Sequence, residues 1–321
     1  MSPPARIRAL AVAVVFLLAA GVLLARAVDL QVFRQPFFDG AAARQHLRTI
    51  PLPAHRGMIL DQRGQPLAIS TPVDAVWINP RIVAGRQVSL APVAHLLGLD
   101  ATKLARAATA NAGRQFMYVA RGLPPDKASA VLALDVPGVH TKREYRRYYP
   151  SGVVAAHVLG FTNIDDAGQY GLELEYNNWL EGKPGAMRVV TSANGRPVES
   201  DQVIAAPQPG RDLMTSLDMR IQYLAFRALT QAVQDQDAAS GSIVVLDAHT
   251  GGVLAMASQP DYNPNVRADL KASLYRNRAV TDLFEPGSSF KPFIIAAALS
   301  SGKWTPESTV ATGNGTFTIG G

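Results

Sequence analysis

Residues 284–293 have the sequence Phe-Glu-Pro-Gly-Ser-Ser-Phe-Lys-Pro-Phe, and they lead into an apolar run at residues 293–299. Proline is tolerated in the first turn of a helix but disrupts its interior, so Pro292 predicts that a helix begins here. Ser288 should then lie at or near the helix N-terminus, with Lys291 one turn further on. Residues three apart share a helix face, so the hydroxyl and the amine can touch. The apolar run predicts that the helix is buried.

This arrangement suits a nucleophilic serine. Free backbone N–H groups and the positive end of the helix dipole should surround Ser288. A nucleophilic hydroxyl needs a base beside it and donors for a developing oxyanion. Lys291 is the candidate base. The alternative interpretation is a Pro-Gly turn and a serine cap that start a buried helix. A second Ser-x-x-Lys at residues 300–303 falls where the helix ends at glycine, and indicates a C-terminal cap.

The composition of the chain narrows the possible functions. The 321 residues suffice for about two domains, and a hydrophobic content of 48% with 17% charged residues permits a sizeable core. The net charge of +6 suits an anionic membrane or envelope polymer. No basic stripe with interleaved aromatics appears, so we predict no nucleic-acid partner. The absence of cysteine excludes disulfides and thiolate metal sites.

The N-terminal segment is apolar. Residues 9–25 form a run of about 17 residues without charge, near the lower limit for a membrane-spanning helix. Arginines within residues 1–8 predict a cytoplasmic N-terminus, a transmembrane helix at residues 9–27 and a chain that continues on the outer side. The alternative is a cleaved signal peptide, because Ala-Arg-Ala at residues 25–27 has a small-x-small pattern.

The remaining chain alternates between short extended and helical patterns, which predicts an α+β fold. A Pro-rich stretch at residues 205–210 marks a boundary between a mixed, irregular module and a second domain. Further predicted elements are separate strands at residues 66–69 and 75–78 divided by Thr71-Pro72, a helical stretch at 93–108 interrupted near Gly98, an Asn-Gly hairpin at 193–195, a helix capped by Asp218 with an apolar stripe, and a hairpin across 249–252.

Several separated strings together resemble class B penicillin-binding proteins, the serine acyltransferases that cross-link peptidoglycan. Residues 285–292, Glu-Pro-Gly-Ser-Ser-Phe-Lys-Pro, resemble their active-site signature. The other matching strings are Arg-Gly-Met-Ile-Leu-Asp at 56–61 for the first pedestal motif, Arg-Tyr-Tyr-Pro-Ser-Gly at 147–152 for the second, Gly168, Gly171 and Glu173 for the third, and residues 240–265 for the start of the transpeptidase domain. One departure is Gln62, where the family usually has arginine after the motif's aspartate.

The resemblance implies a pedestal (dimerisation-type) domain at residues 28–204 and an incomplete serine transpeptidase domain at residues 205–321. It also implies an inner-membrane, single-pass D,D-transpeptidase with most of its chain in the periplasm. Ser288 would attack the penultimate D-Ala of a stem pentapeptide and stabilise the oxyanion with its own backbone N–H, while Lys291 takes its proton. β-Lactams would trap Ser288, and the resemblance implies that no metal and no cofactor is needed. The implied partners are the lipid bilayer, a glycan-polymerising membrane protein and other division proteins.

The subtype rests on two short strings. Tyr-Val-Ala-Arg at 118–121 and Phe-Thr-Asn at 161–163 look most like the division-specific, septal enzyme, and the elongation-type relative is the alternative. Alternatives from other classes are a non-catalytic membrane-anchored division scaffold, and a penicillin-sensing receptor or serine β-lactamase. Neither a Ser-x-Asn string nor a Lys-Thr-Gly strand follows Lys291, so the chain looks truncated and we predict that it is inactive alone.

The other motif residues are interpreted as structural. Arg56, Asp61, Arg147 and Glu173 are predicted to form buried or half-buried ion pairs, since charges at such positions need partners. His157 is interpreted as a hydrogen-bonded helix histidine, because no second ligand at metal spacing accompanies it. Asp247 is interpreted as a turn cap, and the basic run of Lys142, Arg143, Arg146 and Arg147 as a solvated strand edge.

Overall fold

The computed structural model describes residues 14, 16–24, 26, 47–191, 197–266, 270–311, 313 and 315. The strands are β1 (Leu47–Leu52), β2 (Ile59–Leu60), β3 (Pro66–Ile78), β4 (Met117–Leu123), β5 (Val139–Tyr148), β6 (Phe161–Thr162), β7 (Gly168–Tyr170), β8 (Gly185–Thr191), β9 (Pro197–Ala205), β10 (Leu213–Met214), β11 (Gly241–Leu246) and β12 (Val253–Gln259). The helices are α1 (Pro80–Gly85), α2 (Ala91–Leu97), α3 (Ala101–Ala110), α4 (Pro125–Ala133), α5 (Ala156–Leu159), α6 (Gly171–Glu175), α7 (Asn177–Leu180), α8 (Met219–Asp235), α9 (Ala272–Tyr275), α10 (Arg278–Thr281) and α11 (Lys291–Ser300).

Part of the apolar N-terminal segment is helical. Residues 14, 16–24 and 26 are helical, and their side chains are exposed. In the part of the chain that the structure describes, no helix combines the length and the apolar character needed to cross a membrane. Much of the transmembrane helix predicted at residues 9–27 lies outside the described residues, as do the cytoplasmic residues 1–8, so both stay predictions.

A mixed sheet organises the first module. Its strands follow the order β10-β2-β3-β4, and β5 pairs with the second edge of β3 along residues 69–78. The prediction of two strands divided by Thr71-Pro72 was wrong, since β3 runs through both residues and Pro72 lies opposite Tyr145. Residues 69–73 of β3 pair with β5 alone, because pairing with β2 ends at Ala68 and pairing with β4 begins at Asp74, so one edge of β3 is unpaired at Pro72. Proline is tolerated on such an unpaired stretch because no ladder hydrogen bond is lost there.

One face of this sheet is covered by helices. Val76 and Ile78 of β3 pack with Val93, Leu104 and Val131 from α2, α3 and α4. The predicted interruption near Gly98 is confirmed, because Gly98 ends α2 with a left-handed φ of 69°. Asp100 then starts α3 by accepting hydrogen bonds from the backbone N–H groups of Thr102 and Lys103 at 2.8 and 3.0 Å. The helices and sheet together form a lobe with its own core.

A second sheet, β1-β8-β9, is antiparallel throughout. The predicted hairpin between β8 and β9 is confirmed by their pairing, and its Asn-Gly turn lies outside the described residues. A second core lies among the motif elements outside this sheet, and it includes Ile59, Leu67, Tyr149, Leu159 and Leu180.

The second module begins with a helix and a hairpin. Asp218 caps α8 as predicted by accepting a hydrogen bond from the Arg220 N–H, and the predicted β11-β12 hairpin is confirmed. The apolar stripe predicted on α8 is only partly buried: Ala225 and Leu229 are buried, but Leu224 is 61% exposed.

The same helix buries a glutamine. Gln222 is fully buried, and its amide donates to the carbonyls of Val154 and Met256 and accepts from the Met256 N–H. One buried amide therefore joins the two modules.

Candidate active site

The serine turn forms where the sequence predicts it. Gly287–Phe290 make a 3-10 turn that passes directly into α11, and Pro292 occupies the first turn of that helix. Gly287 has a φ of 53°, a left-handed conformation that a residue with a Cβ seldom adopts. The Ser289 N–H donates to the Pro286 carbonyl at 3.1 Å. The predicted start of the helix is therefore confirmed, with Ser288 in the turn that precedes it.

Ser288 and Lys291 lie in consecutive turns at this helix start. No side chain caps either the 3-10 turn or α11, so donors at this end are not occupied by a capping oxygen. No hydrogen bond joins the two side chains in the described residues, although catalytic hydrogen bonds are often loose before substrate binds. The roles assigned to these two residues stay predictions.

The predicted burial of the serine helix was wrong. Phe293 is 67% exposed, and Ile294 and Ile295 are each 59% exposed. All side chains of α11 except one partly covered alanine are exposed, because no element among the described residues packs over them. The sequence pattern predicted the helix correctly, but the covering layer is not in the described chain.

The pedestal motifs meet in a buried charge cluster. Arg56 Nε donates to Glu173 Oε2 at 2.8 Å, and Arg147 Nε donates to Glu173 Oε1 at 2.6 Å. The side chains of Arg147 and Glu173 are completely buried, and that of Arg56 is 2% exposed. The predicted ion pairs of these three residues are confirmed. One glutamate thus holds the first, second and third pedestal motifs together.

Three further residues join the cluster. Arg56 donates to the Asp166 carbonyl and to Asn177 Oδ1, at 3.1 and 3.0 Å. Ser70 Oγ lies 3.3 Å from Asp166 Oδ2. Burial raises the pKa of Asp166 to about 6, against the opposing effect of the arginine charges. The cluster therefore contains one carboxyl group that titrates near neutral pH.

The ion pair predicted for Asp61 was wrong. Its Oδ1 accepts from the backbone N–H groups of Arg63 and Gln65, both at 2.8 Å, so it caps the turn between β2 and β3. The unusual Gln62 instead donates to Asp218 Oδ2 at 2.9 Å. The hydrogen bond from the Arg220 side chain is the main cause that lowers the pKa of Asp218.

The remaining structural interpretations can be compared with the observed contacts. His157 is 4% exposed, and its Nε2 lies 2.9 Å from the Leu274 carbonyl oxygen, which confirms a hydrogen-bonded helix histidine. Burial lowers its pKa. Asp247 accepts from the backbone N–H groups of His249 and Thr250, which confirms a turn cap. In the basic run, Arg143 and Arg146 are exposed as predicted, whereas Arg147 belongs to the buried cluster.

Sequence reasoning missed the polar contacts between the modules. The Asn265 amide donates to the Tyr149 carbonyl and accepts from the Tyr149 N–H, both at 3.0 Å. Tyr262 Oη donates to the Ala156 carbonyl at 2.8 Å. The Pro- and Asn-rich loop after β12 was a signal for a turn, but it did not indicate a partner. Across the described ranges, no group of three or more His, Asp or Glu residues could hold a metal ion.

Two family models account for most of the chain. The Penicillin-binding Protein dimerisation domain matches residues 51–215, and the Penicillin binding protein transpeptidase domain matches residues 241–320. The chain therefore belongs to the class B penicillin-binding proteins, with their dimerisation and transpeptidase domains.

Individual relatives are longer than this chain. The chain is 42% identical to the probable peptidoglycan D,D-transpeptidase PbpC of Pseudomonas aeruginosa over 98% of its own length and 56% of the relative. It is 40% identical to the peptidoglycan D,D-transpeptidase FtsI of Escherichia coli over 89% of its length and 49% of the relative. The chain thus spans about half the length of the curated relatives that it matches.

Solved structures give the same fold. A chain from a structure titled for coordination of polymerization and crosslinking by a peptidoglycan synthase complex aligns at 28% identity with a TM-score of 0.58, covering 94% of this chain and 57% of that one. A penicillin-binding protein in complex with MreC from Helicobacter pylori aligns at 22% identity with a TM-score of 0.61, covering 82% and 55% of the two chains. The second likeness concerns the fold alone.

Proposed function

We propose that the protein containing this chain is a peptidoglycan D,D-transpeptidase that forms an acyl-enzyme on Ser288. The observation that carries the proposal is the uncapped 3-10 turn at Gly287–Phe290, which sets Ser288 at the start of α11 with Lys291 following. Family membership supplies the reaction class.

The proposed chemistry uses groups at this helix start. Lys291 accepts the hydroxyl proton while Ser288 Oγ attacks the carbonyl of the penultimate D-Ala of a stem pentapeptide. The Ser288 backbone N–H donates to the oxyanion, and terminal D-Ala leaves. An amine from a second stem peptide then resolves the acyl-enzyme. β-Lactams acylate the same hydroxyl.

The test is labelling of the whole protein with a fluorescent penicillin. Ser288→Ala should abolish covalent labelling, and Lys291→Ala should slow it by about 10²–10⁴-fold, the range typical of a lost general base. Ser300→Ala is the matched control, because it removes an exposed serine from the second Ser-x-x-Lys string of the same helix.

The outcomes separate the candidate functions. Retained labelling in Ser288→Ala would move the nucleophile elsewhere. An unlabelled wild-type protein would favour the non-catalytic division scaffold. For residues 1–321 alone we expect no labelling, because neither Ser-x-Asn nor Lys-Thr-Gly follows Lys291, and robust labelling of this chain would contradict that expectation.

We assign the protein to division rather than elongation on the strings at residues 118–121 and 161–163. Similarity to FtsI supports this choice. The expected partner is a membrane glycan polymerase, in line with the synthase complex that one structural relative's title describes. Depletion of the protein should block septation, so that cells elongate without dividing. Loss of rod shape on depletion would favour the elongation-type alternative.

The proposed location is the inner membrane, with residues 9–27 as a single anchor and the bulk of the chain in the periplasm. The charge-free run at residues 9–25 supports an anchor. The chain should stay in the membrane fraction after alkaline extraction, and a version lacking residues 1–27 should be released. Recovery of a mature form cleaved after Ala27 would support a signal peptide instead.

A further inference from the structure

A connecting segment joins β12 to the serine turn, and its described residues are 260–266 and 270–286. It is bound to the second and third pedestal motifs rather than lying free. Tyr262 and Asn265 bond the backbone of Ala156 and Tyr149, as described above. The Leu274 carbonyl faces His157 Nε2 at 2.9 Å. The side chains of Tyr262 and Asn265 and the backbone carbonyl of Leu274 therefore attach this segment to the pedestal at three separate points.

Aromatic rings reinforce the same attachment. Tyr275 packs edge-on against Phe161 and Tyr170, with ring centroids 5.3 and 5.1 Å apart. Tyr262 lies edge-on to His157 at 5.2 Å. The last of these aromatic contacts, at Tyr275, lies two residues before Asn277.

Asn277 is the point where three parts of the molecule meet. Its backbone N–H donates to Tyr170 Oη of the pedestal at 3.3 Å. Its side-chain Oδ1 accepts from Ser258 Oγ of β12 at 3.3 Å, and its Nδ2 contacts Met256 Sδ of the same strand at 3.3 Å. Its carbonyl accepts from the Thr281 N–H at 3.1 Å and so starts α10.

The side chain of Asn277 is used in an unusual way. Asparagine at the residue before a helix ordinarily accepts from the first helical N–H groups. Asn277 precedes α10 but makes no such cap, and its amide turns to β12 instead. It is 8% exposed, and every residue from 278 to 290 is more exposed than that. Asn277 is thus the last buried residue before the serine turn.

We propose that Asn277 is a positioning residue for Ser288, and this inference rests on the proposed function. It ties the pedestal and β12 to the stretch that carries the nucleophile. The hydrogen bonds of Asn277 fix where α10 starts, and α10 fixes where residues 283–287 begin. Without the amide, the serine turn samples positions in which the hydroxyl does not meet the substrate carbonyl.

The test compares acylation of the whole protein by a fluorescent penicillin in Asn277→Ala and in Val131→Ala. Val131 is a matched control because it is 1% exposed in the distant pedestal core, so its truncation destabilises the fold without touching the segment. Asn277→Ala should lower the acylation rate constant at least tenfold with noncovalent affinity unchanged. Val131→Ala should lower the melting temperature and leave that rate constant as it is.

A second measurement does not depend on activity. In residues 1–321, hydrogen exchange of the Ser289 and Lys291 amides should be at least tenfold faster in Asn277→Ala than in Val131→Ala. If Asn277→Ala fails to fold, both measurements are made on Tyr170→Phe, which removes only the hydroxyl that accepts from the Asn277 N–H. We then expect the acylation rate constant to fall about threefold and the amide exchange rate to rise about threefold.

The outcomes distinguish the two proposals. If the wild type acylates and the Asn277 variant acylates at the same rate, the positioning role is overturned and the proposed function stands. If the wild type does not acylate, the proposed function fails, and exchange at residues 289 and 291 decides the positioning role. Faster exchange confined to residues 280 and 281 would overturn it.

Discussion

The buried charge cluster of the pedestal and the serine helix α11 are opposites in composition and in exposure. Arg56, Arg147 and Glu173 are charged and almost completely buried. Phe293 and Ile294 are apolar and more than half exposed. Burying a charge is costly unless it is paired, whereas an apolar side chain favours burial without any specific partner. In this chain the charged groups, which are costly to bury, are buried, whereas the apolar side chains of α11 are exposed.

The difference shows which part of the molecule is complete within the described residues. In the pedestal cluster, Arg56 and Arg147 both pair with Glu173, which belongs to another motif of the same chain. The helix α11 that follows Ser288 has its local geometry, because proline and glycine act on the nearest turn, but no described element covers it. Folding of the pedestal should therefore be sensitive to single substitutions, whereas the serine helix should tolerate them in this chain.

Substitution of the central glutamate should have the largest effect. Glu173→Gln leaves two buried guanidinium groups without a carboxylate, which typically costs about 3–5 kcal/mol of unfolding free energy. Urea unfolding of residues 1–321 measures it. Glu175→Gln, two residues away and exposed, should change stability by less than about 0.5 kcal/mol. Equal stability of the two variants would mean that the cluster does not hold the pedestal together.

A pH effect should come next, from Asp166 in the same cluster. Its folded pKa of about 6 lies above the ordinary aspartate pKa of 3.8, so the fold favours the protonated carboxyl. The resulting stability is fully present below pH 3.8 and is lost as pH rises through 6, by about 2–3 kcal/mol. The groups facing it are Arg56, Arg147, Glu173 and Ser70.

Comparison with Asp166→Asn isolates this contribution. The unfolding free energy of Asp166→Asn is subtracted from that of the wild type. This difference should fall between pH 4 and pH 7, because the carboxyl of the wild type titrates and the amide of the variant does not. A difference that is flat across this range would show that the carboxylate is stabilised in the cluster as well as it is in water.

A smaller effect should follow from helix capping, where the two regions also differ. Asp100 caps α3 of the pedestal, whereas no side chain caps α11. Asp100→Ala should cost about 1 kcal/mol, because two backbone donors lose their acceptor. Asp100→Asn keeps an acceptor and should restore most of the loss in thermal unfolding. If alanine and asparagine destabilise alike, the charge of Asp100 rather than the cap is responsible.

Local features of the fold were predictable from sequence because their causes are local. Pro292, Gly98 and Asp218 set helix ends through their own backbone or side chain, and each did so. Thr71-Pro72 led to the wrong prediction of two separate strands. An unpaired strand edge tolerates proline, and the sequence does not show which edge of a strand is unpaired. Asp61 was predicted to form an ion pair but caps a turn, because a carboxylate can serve either purpose and the sequence does not distinguish them.

The candidate site was predictable in part for the same reason. The spacing of Ser288 and Lys291 is a local property, and the turn follows it. Gln222 and Asn277 were missed because their importance depends on partners distant in sequence, Val154 and Tyr170. The exposure of α11 was missed because burial is decided by what packs on a helix, which its own apolar pattern does not specify.

Substitution of Ile294 should give the smallest effect, and its comparison with Ile59 is the most direct test of the contrast. Ile59 in the pedestal is completely buried, and Ile294 in α11 is 59% exposed. Ile294→Ala in residues 1–321 should change the unfolding free energy by less than about 0.5 kcal/mol, while Ile59→Ala should cost about 2–5 kcal/mol through lost burial and a cavity. Urea unfolding compares them directly. A cost above about 2 kcal/mol for Ile294→Ala would mean that α11 is covered in solution, by a second copy or by part of this chain, and the contrast between the two regions would fail.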